Sequence, residues 1–197
     1  MNGLGTNFER ELPASYCEEF VVDANDKKTS FLFSVGSLAI TVVLWALAVI
    51  MIHPGGLDEM DMFIKRIPLF FIPLLIYIVL HELTHGAAYK LLTGEKLTFG
   101  ITLSVAFCGV PNIYVYRKAS LISLLAPFAV FNIVFGTAVF MAPNAWDKLI
   151  AALLLGTHIG GCIGDLYITF LYLFRFRDPR TLMRDTGPKQ TFYVPEN

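Results

Sequence analysis

Long stretches without charge are the feature of this sequence that most constrains its fold. Ser30 to Ile52 and Ala119 to Trp146 contain no Asp, Glu, Lys or Arg, Leu149 to Phe174 contains only Asp165, and Ile67 to Leu92 is uncharged over its first half. A bilayer has a hydrocarbon core about 30 Å thick, which roughly 20 apolar residues of helix can span. The sequence therefore predicts an α-helical integral membrane protein with about four transmembrane helices, over 30–52, 67–92, 119–146 and 149–174.

The composition supports a membrane location and excludes other classes of protein. Hydrophobic residues make up 55% of the chain and charged residues 16%, whereas a soluble domain carries about 25% charged residues. The formal net charge is −1, so the chain lacks the basic excess that nucleic-acid binding needs. Its three cysteines, Cys17, Cys108 and Cys162, form no CxxC pair, and we expect them to be reduced and structural.

The positions of Lys and Arg predict the orientation of the spans. Twelve of the fifteen Lys and Arg residues lie before the first span, in the middle connection together with Lys90 at the end of the second span, or after the fourth, and only Lys65, Arg66 and Lys148 lie on the other side. Because Lys and Arg are enriched in cytoplasmic loops, we expect a multi-pass plasma-membrane protein with both termini in the cytoplasm. The predicted regions are a cytoplasmic segment over 1–29, a membrane domain over 30–174 and a cytoplasmic tail over 175–197.

The uncharged stretch from Leu97 to Tyr116 has a different pattern. Large and small side chains alternate over 97–108, which is the period of a strand rather than of a helix. Residues 109–112 have turn chemistry, and 113–116 can return as a second strand. We therefore predict a short membrane-dipping β-hairpin over 97–116, between the second and third helices, shielded from lipid by protein or lining a wet cavity. A fifth helix is the alternative, although it would put the two termini on opposite sides.

Two acidic residues, Glu82 and Asp165, lie within the predicted spans without a basic partner in the membrane core. Charges placed there are costly and indicate a functional role. Glu82 belongs to an HExxH motif that runs from His81 to His85. On a helix this spacing puts both imidazoles on one face, where they can bind one Zn²⁺ with the glutamate beside the open coordination position. A pair of hydrogen-bonded core histidines is the alternative interpretation.

A catalytic zinc ion usually has three protein ligands, and the candidates for the third are His53, His158 and Asp165. With a rise of about 1.5 Å per residue, His81 and His85 lie about 21 and 27 Å from the outer end of their helix, and Asp165 about 24 Å from the outer end of its own. The matching depth predicts Asp165 as the third ligand. His53 lies at the opposite membrane surface. His158 lies roughly 10 Å nearer the outside. We expect it to be either a pocket group or a hydrogen-bonded packing histidine.

Two further features of the spans concern packing. Gly156, Gly160 and Gly164 recur every four residues, a spacing that lets two transmembrane backbones approach closely. Asn132 is a polar side chain within the third span. We expect it to form an interhelical hydrogen bond, with an oxyanion contact as the alternative.

Several motifs together resemble a known family. They are HELTHG within a transmembrane helix, the hairpin, Ala126-Pro127-Phe128 near the start of the third span, and Gly164-Asp165 in the fourth. The chain resembles small bacterial four-helix membrane proteins classed as zincin peptidases, which are similar in turn to the site-2 protease class of intramembrane metalloproteases. The resemblance implies one Zn²⁺ held by His81, His85 and Asp165, with Glu82 as the general base. It also implies that the 97–108 strand offers an edge to an extended substrate.

The expected function is therefore a zinc-dependent intramembrane peptidase that hydrolyses a membrane protein or peptide near the cytoplasmic leaflet. The alternative is a non-catalytic membrane regulatory or immunity protein whose metal site is structural or lost. A transporter that uses the same side chains as a relay is a third candidate. Four spans without an internal repeat make it the least favoured of the three.

Overall fold

The computed structural model describes residues 7–53, 60–101 and 106–196. Within these ranges the chain forms five α-helices: α1 Lys27–Ile52, α2 Met60–Thr93, α3 Arg117–Met141, α4 Ala145–Gly161 and α5 Ile163–Phe174. It also forms seven β-strands: β1 Phe8–Glu9, β2 Tyr16–Asp23, β3 Thr98–Ile101, β4 Ala106–Gly109, β5 Tyr114–Tyr116, β6 Leu182–Asp185 and β7 Lys189–Pro195. The fold is therefore mixed, with a sheet in addition to the predicted membrane helices.

In the part of the chain that the structure describes, three helices are long and apolar enough to cross a membrane: α1, the Ile64–Thr93 part of α2, and α3. Helices α4 and α5 pass the same test only as a pair bent by 49°, so the described residues contain three helices that could span a membrane, or four candidate spans if the bent pair is one. Large apolar side chains on these helices are exposed, as at Leu38 (64%) and Ile133 (70%). Such a surface is compatible with insertion into a membrane, where lipid solvates it.

The predicted fourth helix, 149–174, is divided into two. Helix α4 ends at Gly161, and the backbone N–H of Cys162 donates to the carbonyl of His158 (3.1 Å) before α5 begins at Ile163. Two consecutive glycines, Gly160 and Gly161, precede the break. Glycine restrains the backbone least, which makes it a common position for a sharp bend in a helix.

The described residues form two compact units. The sheet unit comprises the described parts of 1–32, 82–127 and 165–197, and the helical unit comprises those of 33–81 and 128–164. The core of the sheet unit is built from Tyr89, Val110, Ile113, Val115 and Ala119. The core of the helical unit is built from Tyr77, Phe131, Phe135, Ile150 and Leu154.

The sheet unit joins the two polar ends of the chain. Its five-stranded antiparallel sheet has the order β1-β5-β6-β7-β2, and β2 pairs with β7 in a register that sets Cys17 opposite Val194. The turn between β6 and β7 contains Gly187, whose φ of 96° is in the left-handed region that favours glycine. The leader and the tail, predicted as separate cytoplasmic segments, thus form one sheet.

The hairpin is shorter than predicted and its turn lies elsewhere. Strand β3 pairs with β4 in antiparallel fashion, with Phe99 opposite Cys108, so both strands of the observed hairpin come from the segment 97–109, of which 102–105 lie outside the described residues. Strand β5, predicted as the returning strand of this hairpin, instead pairs with β1 and β6. The reason is that Val110 is buried and donates its backbone N–H to the carbonyl of Asp185 (2.8 Å), which directs the chain into the five-stranded sheet. The described residues between α2 and α3 contain no fifth helix.

In the helical unit, α4 packs closely against α1. A Cβ on Gly160 would meet the backbone oxygen of Ser37 and the hydroxyl of Thr41, and a Cβ on Gly156 would lie 3.1 Å from the Trp45 ring. The Trp45 indole donates a hydrogen bond to the carbonyl of Leu153 (2.9 Å). The first two glycines of the stripe therefore provide the close approach that their spacing predicts. Among the described residues, Gly164 has no atom near its hypothetical Cβ.

Candidate metal centre

The HExxH motif lies on one continuous helix. Helix α2 runs through His81, Glu82 and His85, so the two imidazoles are four residues apart and one turn separates them along one helix face. Both histidines are buried, and Glu82 is partly buried. Buried polar side chains on an apolar helix need partners, and the partners of the three residues differ.

Each of the two ring nitrogens of His85 lies close to an oxygen atom of another residue. Its Nδ1 lies 2.8 Å from the backbone carbonyl oxygen of Ser123 on α3, and its Nε2 lies 3.4 Å from the Oδ2 of Asp165. Because a carbonyl oxygen only accepts hydrogen bonds, Nδ1 carries a proton. The Nε2 of a neutral His85 ring then points its lone pair at a carboxylate, and a proton or a metal ion must lie between them.

This arrangement fits a zinc ion. A metal-binding histidine typically donates its second N–H to a carbonyl or carboxylate, which fixes the tautomer that leaves the other nitrogen for the metal. His85 makes this contact with Ser123. Imidazole nitrogen and carboxylate oxygen are ligands that zinc accepts. Asp165 lies in the first turn of α5, where the exposed amides of a helix end favour a negative charge. The structure thus brings together two of the predicted site residues, His85 and Asp165.

Glu82 contacts the hairpin. Its carboxylate accepts a hydrogen bond from the backbone N–H of Cys108 on β4. This contact comes from a strand that sequence analysis placed in the hairpin, but the pairing with Glu82 was not predicted. It fixes the carboxylate of the candidate general base relative to β4.

Asp185 on β6 is a further acidic residue near these groups that sequence analysis missed. It is buried and accepts hydrogen bonds from the Tyr89 hydroxyl (2.7 Å) and from the backbone N–H of Gly187 (2.9 Å). Burial raises the pKa of Asp185 above its ordinary value, and it is close enough to interact electrostatically with both Glu82 and His85. Nothing in the sequence of the polar tail indicates that Asp185 lies near the HExxH motif, because only the tertiary fold brings the tail to α2.

His81 belongs to the helical unit and has different neighbours. Its Nδ1 lies 3.0 Å from the hydroxyl oxygen of Tyr77, which also lies 2.9 Å from the Nδ1 of His158. Because Nδ1 is engaged, Nε2 is the nitrogen that His81 can offer to a metal. The Nε2 of His158 lies 3.3 Å from the Nδ2 of Asn132. The fully buried His158 is therefore a hydrogen-bonded core histidine, and Asn132 makes the interhelical contact expected of it.

The helical unit also contains a second group of potential ligands. Nitrogens of His81 and His158 and the sulfur of Cys162 lie within 4.8 Å of one another, and all three side chains are buried. The Sγ of Cys162 lies 3.6 Å from the Nδ1 of His158. His53, by contrast, is an exposed residue immediately after α1 and belongs to no such group among the described residues.

The described residues thus combine apolar helices long enough to cross a membrane with an HExxH helix that has a carboxylate at one histidine, a candidate metal centre. A family model described as "Putative zincin peptidase" matches residues 74–178, which is just over half of the 197 residues. The chain belongs to this family, which indicates a metallopeptidase and implies zinc as its metal. No curated protein and no solved structure matches the chain.

Proposed function

We propose that this protein is a zinc-dependent intramembrane peptidase of the site-2-protease type, which hydrolyses a membrane protein or peptide near the cytoplasmic leaflet. In this proposal His81, His85 and Asp165 hold one Zn²⁺, and Glu82 is the general base. The observation that carries the proposal is the environment of His85, whose Nδ1 donates to the Ser123 carbonyl while its Nε2 faces the Asp165 carboxylate. The family of the chain supports it.

The side chains have distinct roles in the proposed hydrolysis. A bound zinc ion would act as a Lewis acid that polarises the scissile carbonyl and makes water acidic near neutral pH. Glu82 would accept the proton of the attacking water and return it to the amine that leaves as the C–N bond breaks. The Cys108 amide, which donates to the Glu82 carboxylate, would keep that carboxylate oriented.

The hairpin supports a substrate that binds as a strand. The peptide bonds of a transmembrane helix are occupied by its own hydrogen bonds, so the substrate must unwind before hydrolysis. The 97–108 segment offers β3 and β4 as edges to which an extended peptide can add. Because β4 contacts Glu82 through Cys108, a peptide bound along β4 would lie close to the proposed general base.

The five-stranded sheet supports the proposed orientation in the plasma membrane. Its strands precede α1, follow α2 and follow α5, yet they share one sheet. A sheet of this kind lies on one side of a membrane, so an even number of crossings must separate its strands. Helices α1 and α2 provide two crossings, and α3 with the bent α4–α5 pair provides two more. The Lys and Arg distribution then assigns the side with both termini to the cytoplasm.

Replacement of Glu82 tests the proposal. We expect Glu82→Gln to retain zinc and to lose hydrolysis of a library of labelled transmembrane peptides reconstituted in vesicles. The matched control is Glu19→Gln, which removes an exposed carboxylate bound to Arg175 and should leave hydrolysis unchanged. Hydrolysis by Glu82→Gln at the wild-type rate would contradict the assignment of the base. The absence of any cleavage by zinc-loaded wild-type protein would contradict the proposed activity.

One observation favours a second candidate function, a non-catalytic protein with a structural metal. The buried group of His81, His158 and Cys162 offers the nitrogen and sulfur ligands typical of closed structural sites. Cobalt substitution distinguishes the two sites, because a thiolate ligand produces a charge-transfer absorption band. A band that Cys162→Ser abolishes would favour the structural site. Its absence in cobalt-loaded protein would favour the catalytic one.

A further inference from the structure

A residue of the polar tail joins the HExxH helix to the hairpin beside it. The buried side chain of Asp185 on β6 accepts a hydrogen bond from the Tyr89 hydroxyl on α2 (2.7 Å). The backbone carbonyl of Asp185 accepts a second one from the N–H of Val110 (2.8 Å), the residue that follows β4. Asp185 therefore holds α2 with its side chain and the end of the hairpin with its backbone.

This connection lies next to the contact of the proposed general base. Glu82 and Tyr89 are seven residues apart on α2, which is close to two turns, so both lie on one face of the helix. The N–H of Cys108 donates to Glu82, and Val110 is only two residues further along the chain. Helix α2 and β4 are thus joined at two neighbouring points, once directly through Glu82 and once through Asp185.

The turn that follows Asp185 fits closely against β4. A Cβ on Gly109 would lie 2.5 Å from the backbone nitrogen of Gly187 and 2.9 Å from the carbonyl oxygen of Asp185, and a Cβ on Gly187 would meet the Phe107 ring. The second carboxylate oxygen of Asp185 accepts hydrogen bonds from the N–H of Gly187 (2.9 Å) and from the Gln190 amide (3.3 Å). The Asp185 carboxylate is therefore fixed within a turn that contacts β4 through its backbone, so it can act as a spacer.

We propose that Asp185 is a positioning residue for the general base, which sets the spacing between α2 and β4 and thereby keeps the Cys108 amide at the Glu82 carboxylate. The inference rests on the proposed function for the role of Glu82. The proposed zinc ligands lie on α2 and α5, so loss of the spacing should impair the base rather than the metal. Asp185 lies outside residues 74–178, which the family model matches.

Tyr89→Phe tests the inference, because it removes the hydroxyl that binds Asp185 and keeps the buried ring. The readout is hydrogen exchange of the Cys108 amide, followed by NMR of protein labelled with nitrogen-15 cysteine in nanodiscs. The chain contains three cysteines, so Cys17→Ser and Cys162→Ser assign the signals. We expect the Cys108 amide to exchange about tenfold faster in Tyr89→Phe, the equivalent of one net hydrogen bond.

Tyr116→Phe is the matched control. The Tyr116 hydroxyl donates to a carboxylate oxygen of Glu9 (2.8 Å), so this variant removes the same kind of hydrogen bond from the same unit, between β5 and β1. It should leave exchange of the Cys108 amide unchanged. A general loss of stability would accelerate that exchange in both variants, and equal acceleration would overturn the inference.

Kinetics provide a second readout that a purely structural role would not produce. With a labelled transmembrane peptide that the wild-type protein cleaves, Tyr89→Phe should lower kcat about tenfold. The KM for the peptide and the affinity for zinc should not change, because the hairpin strands stay paired and the metal ligands stay in place. Asp185→Ala should lower kcat as well, and its effect should not add to that of Tyr89→Phe, since both remove the same connection.

The outcomes distinguish this inference from the proposed function. If Tyr89→Phe leaves exchange of the Cys108 amide unchanged, Asp185 does not set the spacing and the inference is wrong. If exchange accelerates while kcat stays at the wild-type value, Asp185 does not position the base, and the proposed function stands. If zinc-loaded wild-type protein cleaves no peptide, the proposed function is wrong, and the positioning role is wrong with it.

Discussion

Replacement of Asp165 by Asn removes a charge while keeping the shape of the side chain. The carboxylate lies 3.4 Å from the His85 Nε2, and the two side chains are only 20% and 9% exposed. A unit positive charge at the His85 Nε2 position, as a bound metal ion would supply, would be attracted by the carboxylate at this distance by about 5 kcal/mol at an effective dielectric constant of about 20. Desolvation offsets part of this attraction. If about half of it remains, loss of the charge should weaken zinc binding by about a hundredfold.

The assay is the zinc dissociation constant of detergent-purified protein, measured by competition with a chelator of known affinity. The matched control is Asp178→Asn. Asp178 also belongs to the sheet unit and is bonded to Arg180 (2.8 Å) outside the helices, so its loss should leave zinc binding unchanged. An Asp165→Asn protein that unfolds at the wild-type temperature and binds zinc with wild-type affinity would refute the assignment of Asp165 as a ligand.

Two further predictions concern stability. Gly160→Ala should destabilise the protein by about 1–3 kcal/mol, because its Cβ would meet the Ser37 oxygen and the Thr41 hydroxyl. Gly136→Ala, which has open space at its Cβ, should not be destabilising, and thermal unfolding of the pair measures the difference. Burial raises the pKa of Asp185 above its ordinary 3.8, so the folded state retains a proton that the unfolded state loses. Stability should therefore fall as the pH rises from about 4 through the raised pKa. Asp185→Asn should flatten this pH dependence of the unfolding temperature, and an unchanged slope would contradict the attribution to Asp185.

The parts of this protein that were predictable from sequence depend on local spacing. Uncharged stretches of sufficient length indicate membrane helices because the bilayer sets one length for all of them. His81 and His85 could be assigned to one helix face because residues four apart are neighbours on any helix. The glycines at 156 and 160 likewise predicted a close helix contact, which the structure places against α1.

What escaped prediction depends on pairing between distant residues. The alternation over 97–108 predicts extended structure, but a period of two does not indicate where a strand ends and its partner begins. The predicted hairpin therefore treats as one strand a segment that contains both β3 and β4. The sheet pairs Cys17 with Val194 and Phe8 with Val115, and neither segment alone specifies its partner. The Ser123 contact with His85 was also unpredictable, because a backbone carbonyl has no sequence signature.

Zinc-edge X-ray absorption of the purified protein tests the central claim most directly, because it reports which atoms bind the metal. Two imidazoles and a carboxylate predict a first shell of nitrogen and oxygen at about 2.0–2.2 Å, with no sulfur. Asp165→Ala should lose zinc or change this shell, and Cys162→Ser should leave it as in the wild type. A sulfur ligand at about 2.3 Å that disappears in Cys162→Ser would contradict the catalytic ligand set and place the metal with His158 and Cys162.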